Sequence, residues 1–417
     1  MYDTIDTEIE KIYIIQPITN ENVNKYRILH DEAVALIESA GALYAGTIFQ
    51  NVREIQASTF IGEGKLNELN ERLYGLENIT VLFNGELSPS QTLNISAALN
   101  DRKVIDRTTL ILDIFAKNAR SSEGKLQVEL AQLKYIYPRL KGKGLALSRL
   151  GGGVGTRGPG ETKLETDRRY IRNRLKYLEN RLKEMEKRRG FQTGRRKKNT
   201  VKTIALIGYT NTGKSTLLNL LTNSDVYVKN ELFATLDPTA RKMNIYGAEF
   251  LLIDTVGFLQ ELPHNLIEAF HSTLESALEC DLALIVCDAT GDYLMQLQTT
   301  LDTLQEMGCS APHLLVMNKS ENLSDFSVFP QDSILISAKE NLGIERLKRE
   351  ILHAFREDFS FCKLFVPYSG LKQYNKIKTK ITERKVSYTD DGLCIDAVIP
   401  SIYAKIFNDF IVETISL

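Results

Sequence analysis

Gly208-Tyr209-Thr210-Asn211-Thr212-Gly213-Lys214-Ser215 follows the apolar run Thr203 to Ile207 and leads into Thr216-Leu217-Leu218-Asn219-Leu220. That order predicts a strand, a loop and a helix. Gly208 and Gly213 let successive backbone N–H groups turn inward, and a helix opening near Lys214 adds the positive end of its dipole. A loop of this kind cradles phosphate. Lys214 reaches the outer phosphate oxygens as a point charge, and the Ser215 hydroxyl is placed for a magnesium ion bridging them. The flanking strand and helix are the context that separates this motif from a chance glycine-rich turn.

Downstream come Phe233-Ala234-Thr235-Leu236-Asp237-Pro238-Thr239, strand-like runs at Lys242 to Tyr246 and Phe250 to Asp254, and then Asp254-Thr255-Val256-Gly257. A carboxylate at the C-terminal end of a strand, close to a glycine, suits a magnesium sphere whose neighbour senses the outermost phosphate. Asp254 would act through a water and the Gly257 amide on the γ-phosphate. Apolar runs at Leu282 to Cys287, Leu314 to Met317 and Ile334 to Ile336 alternate with helical patterns near 264 to 279, 292 to 307 and 341 to 355. This alternation predicts a mainly parallel sheet with helices on both faces. Two of these strands run into Asn318-Lys319-Ser320-Glu321 and Ser337-Ala338-Lys339. A carboxylate accepting from N1–H and the exocyclic amine would select guanine.

Upstream, residues 1 to 110 alternate strand-like and helical patterns (Ile12 to Ile15, Ala33 to Ala40, Ala42 to Ile48, Leu66 to Leu73, Val81 to Phe83, Leu93 to Leu99), which predicts a small α/β subdomain. Gly62-Glu63-Gly64-Lys65 is too short for a phosphate loop and reads as a helix-opening turn. In 111 to 198, Leu126, Leu130, Leu133, Tyr137 and Leu140, then Leu164, Ile171, Leu175, Leu178, Leu182 and Met185, follow seam spacings. They predict a helical hairpin with its leucines as core, its first helix kinked or shortened at Pro138. Its tip, Lys141 to Glu161, contains Gly153-Val154-Gly155-Thr156-Arg157-Gly158, which fits a dinucleotide fingerprint in letters only. No strand precedes it, and Pro159-Gly160 interrupts the helix it would need.

Here the charge is uneven. Residues 139 to 199 hold 20 Lys or Arg against 6 Asp or Glu, leaving 32 basic and 47 acidic residues elsewhere in a chain of net charge −1. A segregated basic block points to a polyanion, nucleic acid being the commonest, and a glycine-rich tip flanked by Lys141, Lys143, Arg149 and Arg157 suits a crowded RNA surface.

Taken together, these motifs resemble a translation-factor-class GTPase, and their wording is similar to that of the HflX family of ribosome-associated GTPases: Gly-Tyr-Thr-Asn-x-Gly-Lys-Ser, Phe-Ala-Thr-Leu-Asp and Asp-Thr-Val-Gly-Phe. Phe60 to Lys65, Asn84-Gly85-Glu86-Leu87-Ser88-Pro89-Ser90-Gln91, Asp106-Arg107-Thr108 and Gly151 to Glu161 look like that family's N-terminal signatures, so the resemblance runs from residue 1 to about 358. It implies an α/β fold with a P-loop GTPase domain at 199 to 358, preceded by the α/β subdomain and the hairpin. GTP would be hydrolysed to GDP and phosphate, with Ser215 and Thr235 on Mg2+, Lys214 on the phosphates, and Ser337 to Lys339 on the base. Ribosome binding through the hairpin tip, near the peptidyl transferase centre of the large subunit and its rRNA, is also implied, with splitting of stalled or idle ribosomes. Alternatives are an assembly GTPase that does not split subunits, or a nucleotide-gated RNA-binding module with incidental hydrolysis.

Three positions modify that expectation. Glu321 stands where the guanine-reading motif has aspartate, so adenine nucleotides are expected to compete. Phe258 occupies the place of a water-orienting glutamine, so intrinsic turnover is expected to be slow and dependent on a partner. Asn211 resembles the asparagine that holds a potassium ion against the phosphates in related enzymes, so Asn211, Lys214 and Gly257 are the candidate catalytic groups.

Residues 359 to 417 read as a small α+β unit: a strand at Lys363 to Pro367, a helix at Ser369 to Glu383, and a hairpin of Lys385 to Tyr388 and Leu393 to Ile399 through Thr389-Asp390-Asp391-Gly392. Its role is open between docking and structural capping. Five cysteines at wide spacings give neither a disulfide framework nor a zinc pattern, and the five histidines show no ligand spacing. An acidic N-terminal stretch and the lack of any long apolar run predict a cytoplasmic protein without integral membrane association, and a monomer is expected.

Overall fold

Lys11–Ile18 (β1), Leu43–Asn51 (β2), Ile79–Phe83 (β3) and Val104–Asp106 (β4) pair in parallel in the order β2-β1-β3-β4. The apolar runs of β1 and β3 are buried on both faces, as a parallel sheet between helices requires. The helices are Tyr26–Ala40 (α1), Glu63–Arg72 (α2), Pro89–Ala98 (α3) and Arg107–Asn118 (α4). This computed structural model describes residues 9–148, 159–196, 201–222, 232–233, 239–260, 279–323 and 328–415.

The stretches singled out upstream are helix openings. Gly62 is the N-cap of α2. Ser88 and Gln91 form a reciprocal capping box with Pro89 in the first turn of α3, and Asp106 caps α4 by accepting from Thr109 N. At the carboxyl ends of β1, β3 and β4, Asn84 Nδ2 donates to Gln16 Oε1 at 2.5 Å, while Arg107 donates to Asn84 Oδ1 at 2.9 Å and Glu32 Oε2 at 2.6 Å. All four residues are buried.

Ser122–Ser148 (α5) and Pro159–Arg196 (α6) follow. Pro138 lies inside α5, and the helix continues for ten further residues, so the expected shortening does not occur. The seam also needs correction. On α5 the buried side chains include Val128, Ala131 and Tyr135 beside Leu130, and on α6, of the seam residues whose side chains are described (Ile171 to Met185), Leu178 alone is buried. Polar contacts join the two helices instead: Arg174 to both oxygens of Glu129 at 2.6 and 2.8 Å, and Arg172 to the Tyr137 hydroxyl at 3.1 Å. Tyr135 anchors α5 by donating its hydroxyl to Asp106. Of the expected tip, Lys141 to Ser148 belongs to α5 and Pro159 to Glu161 to α6; residues 149–158 lie outside the described residues.

This first compact unit takes the chain up to Lys187 and gathers in Leu232, Phe233, Leu259 and Gln260; the second holds the remaining described residues. In the second, Lys202–Gly208 (β5), Thr239–Ile245 (β6), Ala248–Asp254 (β7), Leu282–Asp288 (β8), His313–Asn318 (β9) and Ile334–Leu335 (β10) form a sheet ordered β10-β9-β8-β5-β7-β6. Only β6 runs antiparallel to its neighbour. Lys214–Thr222 (α7), Tyr293–Glu306 (α8) and Ile344–Ala354 (α9) pack with it, and the expected helix near 264 to 279 falls almost wholly outside the described residues. Ile204, Leu206, Leu217, Leu284, Val286, Leu347 and Ile351 fill the core, each fully buried side chain contributing about 1.5–3 kcal/mol.

The tail is richer than expected. Phe359–Pro367 (β11), Leu371–Ile377 (α10), Thr382–Tyr388 (β12), Gly392–Pro400 (β13), Ala404–Phe407 (α11) and Ile411–Ile415 (β14) make an antiparallel sheet ordered β12-β13-β11-β14. The predicted β12–β13 hairpin is present, but the helix gives way to strand at Thr382, because Thr382 to Tyr388 pairs along β13. Phe359, Phe361 and Val398 share the core of the six-stranded sheet, with the Phe250 ring 5.4 Å from that of Phe359.

Candidate functional site

β5 ends at Gly208 with φ 148, and a Cβ built there would fall 2.2 Å from the Val286 carbonyl oxygen. No other residue fits. Gly213, at φ 90, would place a Cβ 2.3 Å from Asn318 Nδ2, so both glycines of the loop are fixed by close approach. Asn211 is exposed at the crown of the loop in the left-handed region, φ 59. Thr210 and Thr212 are buried, and the Thr210 Oγ1 has no hydrogen-bond partner among the described residues.

Lys214 opens α7 and is only 6% exposed; its Nζ donates to the carbonyls of Gly208 at 3.0 Å and Tyr209 at 2.5 Å. Burial pushes its ammonium down to about 8, against the opposing pull of Asp254. Ser215 Oγ donates to Asp254 Oδ2 at 2.7 Å. A hydroxyl and a carboxylate converging on one point are hard oxygen donors, which suits Mg2+. Thr255 Oγ1 is tied to the Leu206 carbonyl at 2.7 Å. After Val256, the segment folds onto the loop: Phe258 N donates to Gly208 O at 3.1 Å, and Thr210 N donates to Phe258 O at 2.8 Å. A Cβ on Gly257 would lie 2.7 Å from Thr210 Cα and 2.9 Å from Lys214 Nζ.

Asn318, at the end of β9, bridges two parts of the site. Its Nδ2 donates to the Thr212 carbonyl at 2.8 Å, and its Oδ1 accepts from Ala338 N at 2.9 Å. Lys319 takes the left-handed conformation, φ 65, and its Nζ lies 2.5 Å from Asp288 Oδ2. Ser320 N donates to the Ile336 carbonyl at 3.1 Å, and Glu321 Oε2 is buried without a hydrogen-bond partner among the described residues. Ser337 is buried with its Oγ accepting from Glu340 N, whereas the Lys339 side chain is exposed.

Asp288 is the residue that the motif reading missed. It orders Thr290 by accepting from its N–H and hydroxyl while pairing with Lys319. A carboxylate closing the buried run Leu282 to Cys287, as Asp254 closes β7, was the available signal. Ala234, Thr235, Leu236 and Asp237 lie outside the described residues. Phe233 is described and belongs to the first unit, its ring centroid 4.6 Å from that of Phe115.

A mainly parallel sheet with a phosphate-loop motif after β5, a carboxylate at the end of β7 and the Asn318 to Glu321 and Ser337 to Lys339 loops after β9 and β10 defines a P-loop GTPase. Residues 203–319 match the family described as 50S ribosome-binding GTPase, residues 29–116 the GTP-binding GTPase N-terminal family, and residues 118–196 the GTP-binding GTPase middle region. The chain is 45% identical to the GTPase HflX of Caldanaerobacter subterraneus over 92% of this chain and 90% of that protein. It is 44% identical to that of Alkalihalophilus pseudofirmus over 99% and 100%, and 43% identical to that of Escherichia coli over 76% and 73%. A GTP-binding protein of Sulfolobus solfataricus, solved with GDP, is 24% identical at a TM-score of 0.45, covering 84% of this chain and 99% of that one. This chain belongs to the GTPase HflX family and is a GTP hydrolase. Among the described residues no helix is long and apolar enough to cross a membrane.

Proposed function

We propose that the protein is a cytoplasmic factor that couples GTP hydrolysis to engagement of the large ribosomal subunit and splits stalled or idle ribosomes, acting as a monomer. The observation that carries this reading is the long basic α6, whose charged side chains between residues 165 and 187 are largely exposed, in a chain whose GTPase domain matches a family described as 50S ribosome-binding. Lys and Arg on an exposed helix supply the sequence-independent attraction to RNA phosphates. Four parts divide the work on this reading: 1–110, the hairpin 111–198, the GTPase domain 199–358 and the tail 359–417.

In the GTPase domain, the loop amides from Asn211 to Ser215 hold the phosphates, and Lys214 adds its charge. Ser215 and Thr235 would hold Mg2+, with Asp254 placed to orient a water on it; a metal held there would supply charge neutralisation for the phosphates. Gly257 offers its amide to the γ-phosphate. Asn318 to Glu321 and Ser337 to Lys339 hold the base, with Glu321 as the carboxylate for N1–H. Phe258 has no group that polarises water and is 2% exposed, so rate enhancement comes from electrostatic preorganisation completed by the ribosome. Asn211 is the candidate ligand for a potassium ion beside the phosphates; hydrolysis in potassium against sodium chloride, with Asn211→Ala as control, tests it.

Sucrose-gradient sedimentation of whole ribosomes with the protein and GTP or a non-hydrolysable analogue tests the main reading. Release of subunits is expected. Binding confined to subunit precursors would instead favour an assembly factor, and binding without release a nucleotide-gated RNA-binding module.

A further inference from the structure

One exposed side of α6 carries two tyrosines in the open: Tyr170 is 69% exposed and Tyr177 50%. Seven residues, close to two turns, separate them, so their side chains stand on one face about 10.5 Å apart along the axis. Arg174 lies between them, four residues after the first and three before the second, which is the spacing of helix-surface neighbours. Its guanidinium is 5.2 Å from the centre of the Tyr177 ring. Two hydrogen bonds to Glu129 on α5, at 2.6 and 2.8 Å, already engage that guanidinium. It therefore steadies the Tyr177 ring rather than seeking an anion of its own.

The helical repeat sorts the neighbouring exposed side chains into two further rows at the same seven-residue spacing. Asn173 and Asn180 stand beside the tyrosines, and Arg169, Lys176 and Lys183 run beyond the asparagines. All five are exposed. Single surface aromatics need no explanation. Rings, amides and cations in parallel rows are another matter, because they are the set that unpaired RNA requires: a flat face for each base, donors and acceptors for its edges, and positive charge for its phosphates. A duplex presents no free base faces to such rings. A protein partner is less well suited, since among the described side chains of α6 the two tyrosines are the only exposed large hydrophobics and cations surround them.

We propose that this face of α6 is a stacking platform for unpaired RNA: bases lie on the rings of Tyr170 and Tyr177, their edges meet the amides of Asn173 and Asn180, and the phosphates of the strand follow Arg169, Lys176 and Lys183. The two rings are farther apart than neighbouring bases in a stack, about 3.4 Å. Each ring therefore takes a separate, splayed base of an opened strand. The inference rests on the RNA reading of the basic helix and adds what that reading leaves open, a preference for single strand over duplex.

Fluorescence anisotropy of the full-length chain with a labelled oligouridylate, and with a blunt RNA duplex of equal length, tests it across a series of salt concentrations. Both tyrosines are exposed, so Tyr170→Leu with Tyr177→Leu leaves the packing of α6 alone, and Tyr170→Phe with Tyr177→Phe keeps the rings. The wild type is expected to bind the strand more tightly than the duplex. The leucine pair should lose about tenfold or more on the strand, the scale of a lost base–aromatic stack, with duplex affinity and the salt slope unchanged. The phenylalanine pair should bind as the wild type does. A smaller loss on the strand, an equal loss on strand and duplex, or a phenylalanine pair as weak as the leucine pair overturns the platform while sparing the basic helix. A wild type that binds the duplex as tightly as the strand does the same. A wild type that binds neither RNA overturns the RNA reading as well.

Discussion

Asn318 donates its side-chain amide to the carbonyl of Thr212 at 2.8 Å, tying the loop after β9 to the middle of the phosphate loop. Its other end accepts from Ala338 N at 2.9 Å, so one buried side chain spans three loops. Asn318→Ala leaves a buried carbonyl and a buried N–H without partners, at about 1–3 kcal/mol each. GDP and GTP-analogue affinities are expected to fall together, by roughly 10- to 100-fold, in equilibrium titrations. A selective loss of one nucleotide would contradict the bridging role.

Gly257→Ala introduces a Cβ at 2.7 Å from a backbone atom of Thr210, a clash that no side-chain rotation relieves. The segment must shift, and the amide proposed for the γ-phosphate shifts with it. Phosphate release under saturating GTP is expected to drop by about tenfold or more, equivalent to about 1.4 kcal/mol of barrier. GDP affinity should stay near wild type, since on the proposed reading the loop amides hold the β-phosphate.

Lys214 gives a pH dependence with a definite sign. Its folded value of about 8 lies below that of an exposed lysine because burial disfavours the charged form. The unfolded chain therefore binds more protons between about pH 8 and pH 10.5, and the nucleotide-free protein gains stability as pH rises through that window. Phosphates restore the ammonium, so GDP binding should take up a proton above pH 8 and weaken as pH climbs. Calorimetric titration at pH 7 and pH 9, in buffers of different ionisation enthalpy, checks it: proton uptake is expected at pH 9 and close to none at pH 7.

Glu321 bears on base choice. Its buried oxygen, without a hydrogen-bond partner among the described residues, suits a carboxylate held for a purine edge, and the extra methylene relative to aspartate loosens the fit. Competition titrations should show GTP preferred over ATP by less than about a thousandfold, roughly 4 kcal/mol, and Glu321→Asp should widen the gap. A wild-type preference beyond that figure would sink the idea.

The parts most legible in the sequence were those whose chemistry is local. Lys214, Ser215 and Asp254 meet at the site because a phosphate loop and a strand-end carboxylate are each defined within a few residues, and β5 and β7 are adjacent in the sheet. What depended on distant packing was harder to read. The seam on α5 was counted along the leucines, yet Val128, Ala131 and Tyr135 are buried, because α5 packs against α3 and α4. Phe233 belongs to a nucleotide-motif segment by sequence, and only its contact with Phe115 reveals its seat. β14 is five residues long with Val412, Glu413 and Thr414 exposed, so no alternation announced it. Asp288 went unnoticed because its role, holding Lys319, appears only once β8 and β9 lie side by side.

The central claim is that this GTPase waits for the large ribosomal subunit to complete its catalytic site, since Phe258 brings no water-orienting group. Turnover of GTP by the full chain, measured with and without purified large subunits at matched salt, tests it most directly. The account predicts slow hydrolysis alone and stimulation by about a hundredfold or more with subunits, about 2.7 kcal/mol of barrier. Equal rates in the two conditions would contradict it.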